Sequence, residues 1–115
     1  MRIAICDDER TYIKKIENDI NSLKTHENEF EFSEFESGEA FISGFSKDKY
    51  DLIILDIEMN DLNGLQTAEF LRQIDKNVIL IFMTSYDKFV YQGYEVNAFR
   101  YILKNQPKSI YLKQL

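Results

Sequence analysis

The chain has 115 residues, which suffices for one domain with its own core, and a single domain over residues 1–115 is predicted. With 14 basic and 20 acidic residues, its formal net charge of −6 is opposite to that of an isolated nucleic-acid-binding domain. Its apolar runs are strand-sized, its acidic residues begin too early for a secretory signal, and its one cysteine offers no disulfide framework. We therefore expect no membrane span and a cytoplasmic location.

The first half of the chain is predicted to form two strand–helix units. About five residues form an apolar strand that ends in acid, and apolar residues at helical spacing follow it: Ile13, Ile16, Ile20 and Leu23. A half-exposed strand is marked by three phenylalanines among polar residues: Phe30, Phe32 and Phe35. The segment Ser37-Gly38-Glu39-Ala40 then opens a short helix, which carries Phe41, Ile42 and Phe45.

The second half repeats this alternation. Leu52 to Leu55 form a continuous apolar strand, and the helix that follows Gly64 is marked by Leu65, Ala68, Leu71 and Ile74. A fourth strand covers residues 78–83, a helix weakened by Gly93 covers residues 86–96, and a fifth strand covers residues 98–103. Residues 109–115 begin a fifth helix that we expect to be truncated, with any output domain outside this chain.

Strands that alternate with helices, the inner strands being apolar on both faces, predict an α/β fold with a parallel sheet between two helical layers. The expected strand order is 2-1-3-4-5, by analogy with flavodoxin-like doubly wound folds. In that order the first and third strands are neighbours, and ligands bind outside their carboxyl ends. Asp7, Asp8 and Asp56 follow these two strands, so we expect them to converge in one crevice.

Three carboxylates in one crevice repel one another, so they imply raised pKa values or a bound cation, for which Mg²⁺ is the better candidate. Thr84 ends the fourth strand and Lys104 ends the fifth. Their hydroxyl and ammonium groups are suited to phosphoryl oxygens. Together these groups predict an Asp56 nucleophile that accepts phosphate by in-line displacement.

Each of these residues also has an ordinary interpretation. Asp7 and Asp8 can simply cap the first helix, and Asp56 can be a solvated loop acid. Lys104 can be a solvent-facing lysine, and Thr84 can cap the helix that follows it. Their joint placement at four strand ends is far more specific than any one of these residues alone.

Six short segments, spread over nearly the whole chain, carry a family likeness: Cys6-Asp7-Asp8-Glu9, Phe35-Glu36-Ser37-Gly38-Glu39-Ala40, Leu55-Asp56-Ile57-Glu58-Met59, Gly64, Met83-Thr84-Ser85 and Tyr101-Ile102-Leu103-Lys104. With these segments the chain resembles the receiver domain of bacterial two-component response regulators. Residues 98–104 further resemble regulators with a LytTR-type DNA-binding output domain, the LytR/AlgR type.

The resemblance implies a phosphorylation-dependent signalling switch that is not otherwise an enzyme. It implies that Asp56 is the phosphoacceptor and that Lys104 and Thr84 contact the phosphoryl group. It also implies that Thr84 shifts toward the phosphate while Tyr101 turns inward.

The same resemblance implies a metal site and a set of partners. Mg²⁺ would be held directly by Asp8, by Asp56 and by the main-chain oxygen of Glu58, and through water by Asp7. The implied partners are a sensor histidine kinase and a second copy bound through the fourth helix, fifth strand and fifth helix. DNA would be contacted only by a separate output domain, in transcriptional regulation.

Two positions depart from the family pattern, and two other functions stay open. Asn60 and Asn105 stand where proline is usual, which puts the lifetime of the phosphorylated state in doubt.

A Mg²⁺-dependent phosphatase with an aspartyl nucleophile is disfavoured, because its second Asp usually lies two residues after the nucleophile, whereas Asp7 and Asp8 are adjacent. A non-phosphorylated pseudo-receiver is disfavoured by the complete set of reactive residues.

Overall fold

The computed structural model describes residues 1–23, 29–85, 96–104 and 106. Within these residues the elements follow in the order β1 (Arg2–Cys6), α1 (Arg10–Asn21), β2 (Glu31–Phe35), α2 (Gly38–Gly44), β3 (Leu52–Leu55), α3 (Gly64–Ile74), β4 (Ile79–Thr84) and β5 (Arg100–Leu103). The helices predicted over residues 86–96 and 109–115 lie outside this description, apart from Val96, and so does Asn105.

The five strands form one parallel sheet in the order β2-β1-β3-β4-β5, which confirms the predicted α/β topology. The crossover places β1 beside β3, so their carboxyl ends meet at the same edge of the sheet. Cys6 pairs with Leu55 as the last residues of the two strands. The chain therefore delivers the residues after Cys6 and Leu55 to adjacent positions.

The sheet is buried on both faces, because alternate strand residues point to opposite sides. On one face the strands pack with residues of α2 and α3 in a cluster that includes Phe41, Leu55, Leu71 and Phe82. On the other face they pack with the apolar stripe of α1 in a cluster that includes Ile5, Ile13, Ile16 and Ile81. Among the described residues, no helix is both long and apolar enough to cross a membrane.

The predicted boundaries need small corrections. Leu23 does not extend the buried stripe of α1: the helix ends at Asn21, and Leu23 is 45% exposed. Strand β4 begins one residue later than predicted, and β5 begins at Arg100 instead of residue 98. Strand ends are decided by pairing with neighbouring strands, which apolar character alone does not reveal.

Arg72 ties together three segments at the end of the sheet opposite the predicted crevice. Its guanidinium donates to the main-chain oxygens of Val78 at 2.8 Å, Val96 at 2.8 Å and Asn97 at 2.9 Å. A guanidinium presents five N–H donors in a rigid fork, so one side chain satisfies several carbonyls at once. This contact joins the last turn of α3 to the start of β4 and to the turn before β5.

Candidate functional site

A cavity of about 590 Å³ opens at the carboxyl ends of the strands. Its lining comes from the segments that follow β1, β3 and β5 and from the end of β4 with the residue after it: Asp8, Glu9, Asp56, Ile57, Glu58, Met59, Asn60, Asn63, Thr84, Ser85 and Lys104. This is the crevice predicted from the strand order, since open parallel sheets bind ligands at such a switch point.

The three predicted acids come together beside this cavity. Asp7, Asp8 and Asp56 each offer a carboxylate oxygen, and these oxygens lie within 4.8 Å of one another. Asp7 and Asp56 are buried, at 2% and 6% exposure, whereas Asp8 is exposed. The three acids therefore lie close together, and only Asp8 among them is exposed to solvent.

The main chain fixes two of these acids. The N–H of Asp56 donates to the carbonyl of Cys6 at 2.9 Å, which ties the end of β3 to the end of β1. The Asp7 side chain accepts from the N–H of Glu9 at 2.9 Å. Glu9 itself is the N-cap of α1, and it makes no side-chain capping bond. Asp7 thus holds the turn before the helix, and neither Asp7 nor Asp8 is its N-cap.

Burial and mutual repulsion alter the acidity of the cluster. Burial, followed by the negative charge of Asp7, raises the pKa of Asp56 to about 7, although Lys104 acts in the opposite direction. Burial also raises the pKa of Asp7, against hydrogen bonds from Lys104 and Glu9. A cation in the cavity would stabilise the ionised forms of Asp7 and Asp56. The cluster therefore has the electrostatic character of a cation-binding site.

Lys104 lies between the two buried acids. Its Nζ is 2.6 Å from Oδ2 of Asp7 and 3.3 Å from Oδ2 of Asp56. The shorter of the two contacts is with Asp7, which the sequence did not indicate. Burial opposes the charged form, yet the hydrogen bonds and charges of Asp7 and Asp56 outweigh it and raise the pKa of Lys104. The side chain therefore remains an ammonium.

Thr84 contributes a buried hydroxyl to the site. Its side chain is fully buried and lines the cavity, and Oγ1 makes no hydrogen bond with the residues that the structure describes. A buried polar group left unpaired is unfavourable unless it meets a ligand or water.

Tyr101, on the next strand, is half-buried, and its ring centroid lies 6.2 Å from that of Phe82. Thr84 and Tyr101 thus stand on paired strands.

The loop after β3 is shaped by Gly64. A side chain at this position would collide with the carbonyl of Asp56 and with Cα of Ile57, and the Gly64 N–H donates to the Ile57 carbonyl at 2.9 Å. Asn63 caps α3 by accepting from the N–H of Gln66 at 2.9 Å. The glycine is therefore required for the close approach that returns the loop to Asp56.

One neighbour of the site was missed by the sequence interpretation. Tyr12, in the first turns of α1, lies beneath Lys104, with Nζ 4.1 Å from the centre of its ring. Tyr12 is adjacent to the core residue Ile13, and nothing in the spacing of apolar residues distinguishes it. Only the packing of α1 against the end of β5 brings the two side chains together.

Comparisons with known proteins agree on the kind of domain. A family model described as "Response regulator receiver domain" matches residues 3–114. The sensory transduction protein LytT of Oceanobacillus iheyensis is 31% identical over 112 residues, which cover 90% of this chain and 42% of that protein. The transcriptional regulatory protein LytR of Staphylococcus aureus strain N315 is 29% identical, with coverages of 90% and 41%. The chain thus spans less than half the length of these relatives.

Solved structures share the architecture. The response regulatory domain of mrkE from Klebsiella pneumoniae superposes with a TM-score of 0.80 at 26% identity, and the match covers 98% of this chain and 90% of that one. The non-phosphorylated HemR receiver domain from Leptospira biflexa gives a TM-score of 0.84 at 19% identity, with coverages of 98% and 89%. At such identities the second likeness concerns the fold alone.

Proposed function

Because the chain belongs to the response regulator receiver domain family, we propose that it is a signalling switch in which Asp56 accepts a phosphoryl group from a sensor histidine kinase. One observation carries this proposal: Asp56 lines the cavity among two further acids, a largely buried ammonium and a hydroxyl that has no partner among the described residues. These are the groups that in-line phosphoryl transfer requires. We propose one receiver domain over residues 1–115, in the cytoplasm.

In the proposed step, a carboxylate oxygen of Asp56 attacks the phosphorus of a phosphohistidine. A P–O bond forms while the P–N bond breaks, and the electron pair passes to the imidazole nitrogen, which takes up a proton. Lys104 is placed to neutralise charge on the transferred group, and Thr84 can donate its hydroxyl, which no described residue uses, to a phosphoryl oxygen. Later hydrolysis of the acyl phosphate restores the carboxylate.

We propose Mg²⁺ as the cofactor of this site. The cluster of three carboxylates and the raised pKa of Asp56 fit a hard cation that prefers oxygen ligands. Asp8, Asp56 and the main-chain oxygen of Glu58 would hold the ion directly, and Asp7 would do so through water. When bound, magnesium supplies positive charge to the transferring group.

The proposed signal passes from Asp56 toward β5. Phosphorylation replaces one negative charge by a group with nearly two and with several acceptor oxygens, so the Thr84 hydroxyl gains a partner. Movement of Thr84 toward the phosphate leaves space that the Tyr101 ring can enter. Tyr101 lies on β5, the edge strand that pairs with the strand carrying Thr84, so this route leads from the crevice to the sheet edge.

We further propose that this switch controls an output domain outside the chain. The relatives named LytT and LytR are more than twice as long as the matched region, and the S. aureus protein is described as a transcriptional regulator. A LytTR-type DNA-binding domain is the proposed output, and a second copy of the chain would bind through the fourth helix, β5 and the fifth helix. The receiver itself is not proposed to bind DNA, because its formal net charge is −6.

The test is covalent labelling in the presence of Mg²⁺ and acetyl phosphate, read by intact mass. We expect a gain of one phosphoryl group in the wild type and none in Asp56→Asn. Asp61→Asn is the matched control, since Asp61 is an exposed acid on the same loop whose φ of 59° asparagine also tolerates. It should label like the wild type.

Other outcomes would favour other functions. Bound Mg²⁺ without any adduct would indicate a pseudo-receiver that only binds partners. Rapid multiple turnover of unrelated phosphate esters would indicate a phosphatase. Transfer from a phosphorylated histidine kinase, measured with the same variants, tests the proposed donor separately from the chemistry of Asp56.

A further inference from the structure

Tyr12 occupies a position at the site that the proposed chemistry does not yet use. Its ring centre lies 4.1 Å from Nζ of Lys104, well within the distance of about 6 Å at which an ammonium is attracted to an aromatic face. The ring is half-buried and packs against the core cluster on the α1 face of the sheet. Helix α1 thus presents an aromatic surface directly to the lysine of the crevice.

We propose that Tyr12 is the positioning residue for Lys104, and that its ring face holds the ammonium between Asp7 and Asp56. This inference rests on the proposed function, because Lys104 needs positioning only if Asp56 receives a phosphoryl group. Two directions around Nζ are taken by Asp7 at 2.6 Å and Asp56 at 3.3 Å. The ring occupies a further direction and limits the side chain's freedom to leave.

A neutral ring suits this task better than a third acid. The face of an aromatic ring is electron-rich, so it stabilises the ammonium without carrying a net charge. A carboxylate in the same place would compete with the phosphoryl oxygens for Lys104. The contact is also shielded from water, since only 10% of the Lys104 side chain is exposed, and cation–π attraction is strongest in such desolvated sites.

The phenol hydroxyl is not the group that acts. It is buried and makes no hydrogen bond with the described part of the chain. Burial, followed by the charges of Asp7, Asp19 and Asp56, raises the pKa of Tyr12, so the ring stays a neutral phenol. The proposal therefore requires that phenylalanine can replace tyrosine, whereas a role for the hydroxyl would require that it cannot.

A second lysine near the same ring provides a control. Lys15 Nζ lies 5.5 Å from the Tyr12 ring centre, but 48% of the side chain is exposed and it pairs with Asp19 at 3.1 Å. Its contact with the ring is longer and more hydrated than that of Lys104. Loss of Lys15 should leave the phosphorylation rate unchanged, so Lys15→Met separates the general effect of a nearby cation from the specific effect of Lys104.

The kinetic test compares Tyr12→Phe with Tyr12→Leu and Tyr12→Met under saturating Mg²⁺ and acetyl phosphate. We expect the two aliphatic variants to be phosphorylated about fivefold to thirtyfold more slowly, the rate ratio that a desolvated aromatic–ammonium contact represents. Tyr12→Phe should restore the rate. Equal rates for the phenylalanine and leucine variants would overturn the proposal.

A double-mutant cycle separates positioning from a general effect on folding. In a Lys104→Met background, Tyr12→Phe and Tyr12→Leu should be phosphorylated at the same rate, because the ammonium that the ring positions is gone. If Tyr12→Leu slows phosphorylation as much in the Lys104→Met background as it does in the protein that retains Lys104, Tyr12 has only a structural role and the inference fails.

A spectroscopic test needs neither metal nor phosphodonor. The ring current should shift the ε-methylene protons of Lys104 upfield in the wild type and in Tyr12→Phe, and this shift should vanish in Tyr12→Leu. Absence of the shift in the wild type overturns the Tyr12 contact alone. Absence of a wild-type phosphoryl adduct overturns the proposed function and, with it, the kinetic role, so the two failures are distinguishable.

Discussion

Two sites in this molecule place one lysine between two carboxylates at nearly the same distances, yet they differ in burial. The crevice triad consists of Lys104, Asp7 and Asp56. The edge triad, on α1 and β2, consists of Lys14, Glu17 and Glu34. The lysine–carboxylate distances are 2.6 and 3.3 Å in the crevice and 2.6 and 3.6 Å at the edge. The lysine side chain is 10% exposed in the crevice and 52% exposed at the edge.

The edge triad also holds a carboxyl group with altered acidity. Burial, followed by the interaction with Glu34, raises the pKa of Glu17 to about 6. Arg10 also pairs with Glu34 at 3.3 Å. In the crevice, Asp56 and Thr84 line a cavity, and the Thr84 hydroxyl has no hydrogen-bond partner among the described residues; at the edge, Glu17 Oε2 is likewise buried without one. Burial of the lysine, more than clustered charge or an unpaired oxygen, therefore distinguishes the crevice from the edge triad.

Removal of each lysine in turn should give the largest difference in stability between the two triads. Lys104→Met leaves two buried carboxylates without their cation, so we expect a loss of about 2–4 kcal/mol in the free energy of unfolding at pH 8. Lys14→Met is the matched control, and it should not change stability measurably because its ion pairs are exposed. Urea denaturation in EDTA measures both. Similar losses would show that burial is not the relevant difference.

Asp56→Asn should reveal the repulsion in the crevice. The pKa of Asp56 rises from 3.8 to about 7 on folding, so between these values the folded state holds a proton that the unfolded state has released. Stability of the wild type therefore falls as pH increases through this range. Asparagine cannot ionise, and we expect it to stabilise the metal-free protein by about 1–2 kcal/mol at pH 8 and little near pH 4. A gain that is independent of pH in thermal melts would contradict this explanation.

Glu17→Gln should give the smallest effect. The folded-state pKa of Glu17 is about 6 against 4.5, so the contribution of Glu17 to stability falls as pH rises between these values, whereas the lowered pKa of Glu34 acts in the opposite direction. Glutamine can donate a hydrogen bond to Glu34 at every pH. Allowing for solvent screening at this edge, we expect a gain of about 0.5 kcal/mol at pH 7.5 and none at pH 4. Paired melts at the two pH values provide the measurement.

The arrangement of strands was predictable because its signals are local. Apolar runs of strand length and helical stripes such as Ile13, Ile16 and Ile20 each specify an element without knowledge of the others. Strand order came from analogy with known topologies, and the structure confirms it. Leu23 shows the limit of the periodicity, because an apolar residue in register with a helix stays exposed once the helix has ended.

The site was predictable only to the level of which groups converge. Strand ends bring Asp56 and Lys104 together whatever their rotamers, but the sequence does not show that Lys104 lies closer to Asp7 than to Asp56. Nor does it show the contact with Tyr12, which is 92 positions away along the chain. Such contacts depend on side-chain packing across elements, for which periodicity carries no signal.

Arg72 has a mechanical consequence for any movement that starts at the crevice. Its three short hydrogen bonds clamp α3, β4 and the turn at Val96–Asn97 at the far end of the sheet. A displacement near Thr84 and Tyr101 would therefore act on segments whose opposite ends are fixed to a common point. We expect these segments to pivot about Arg72, so that their displacement is largest at the end nearest the phosphorylated loop.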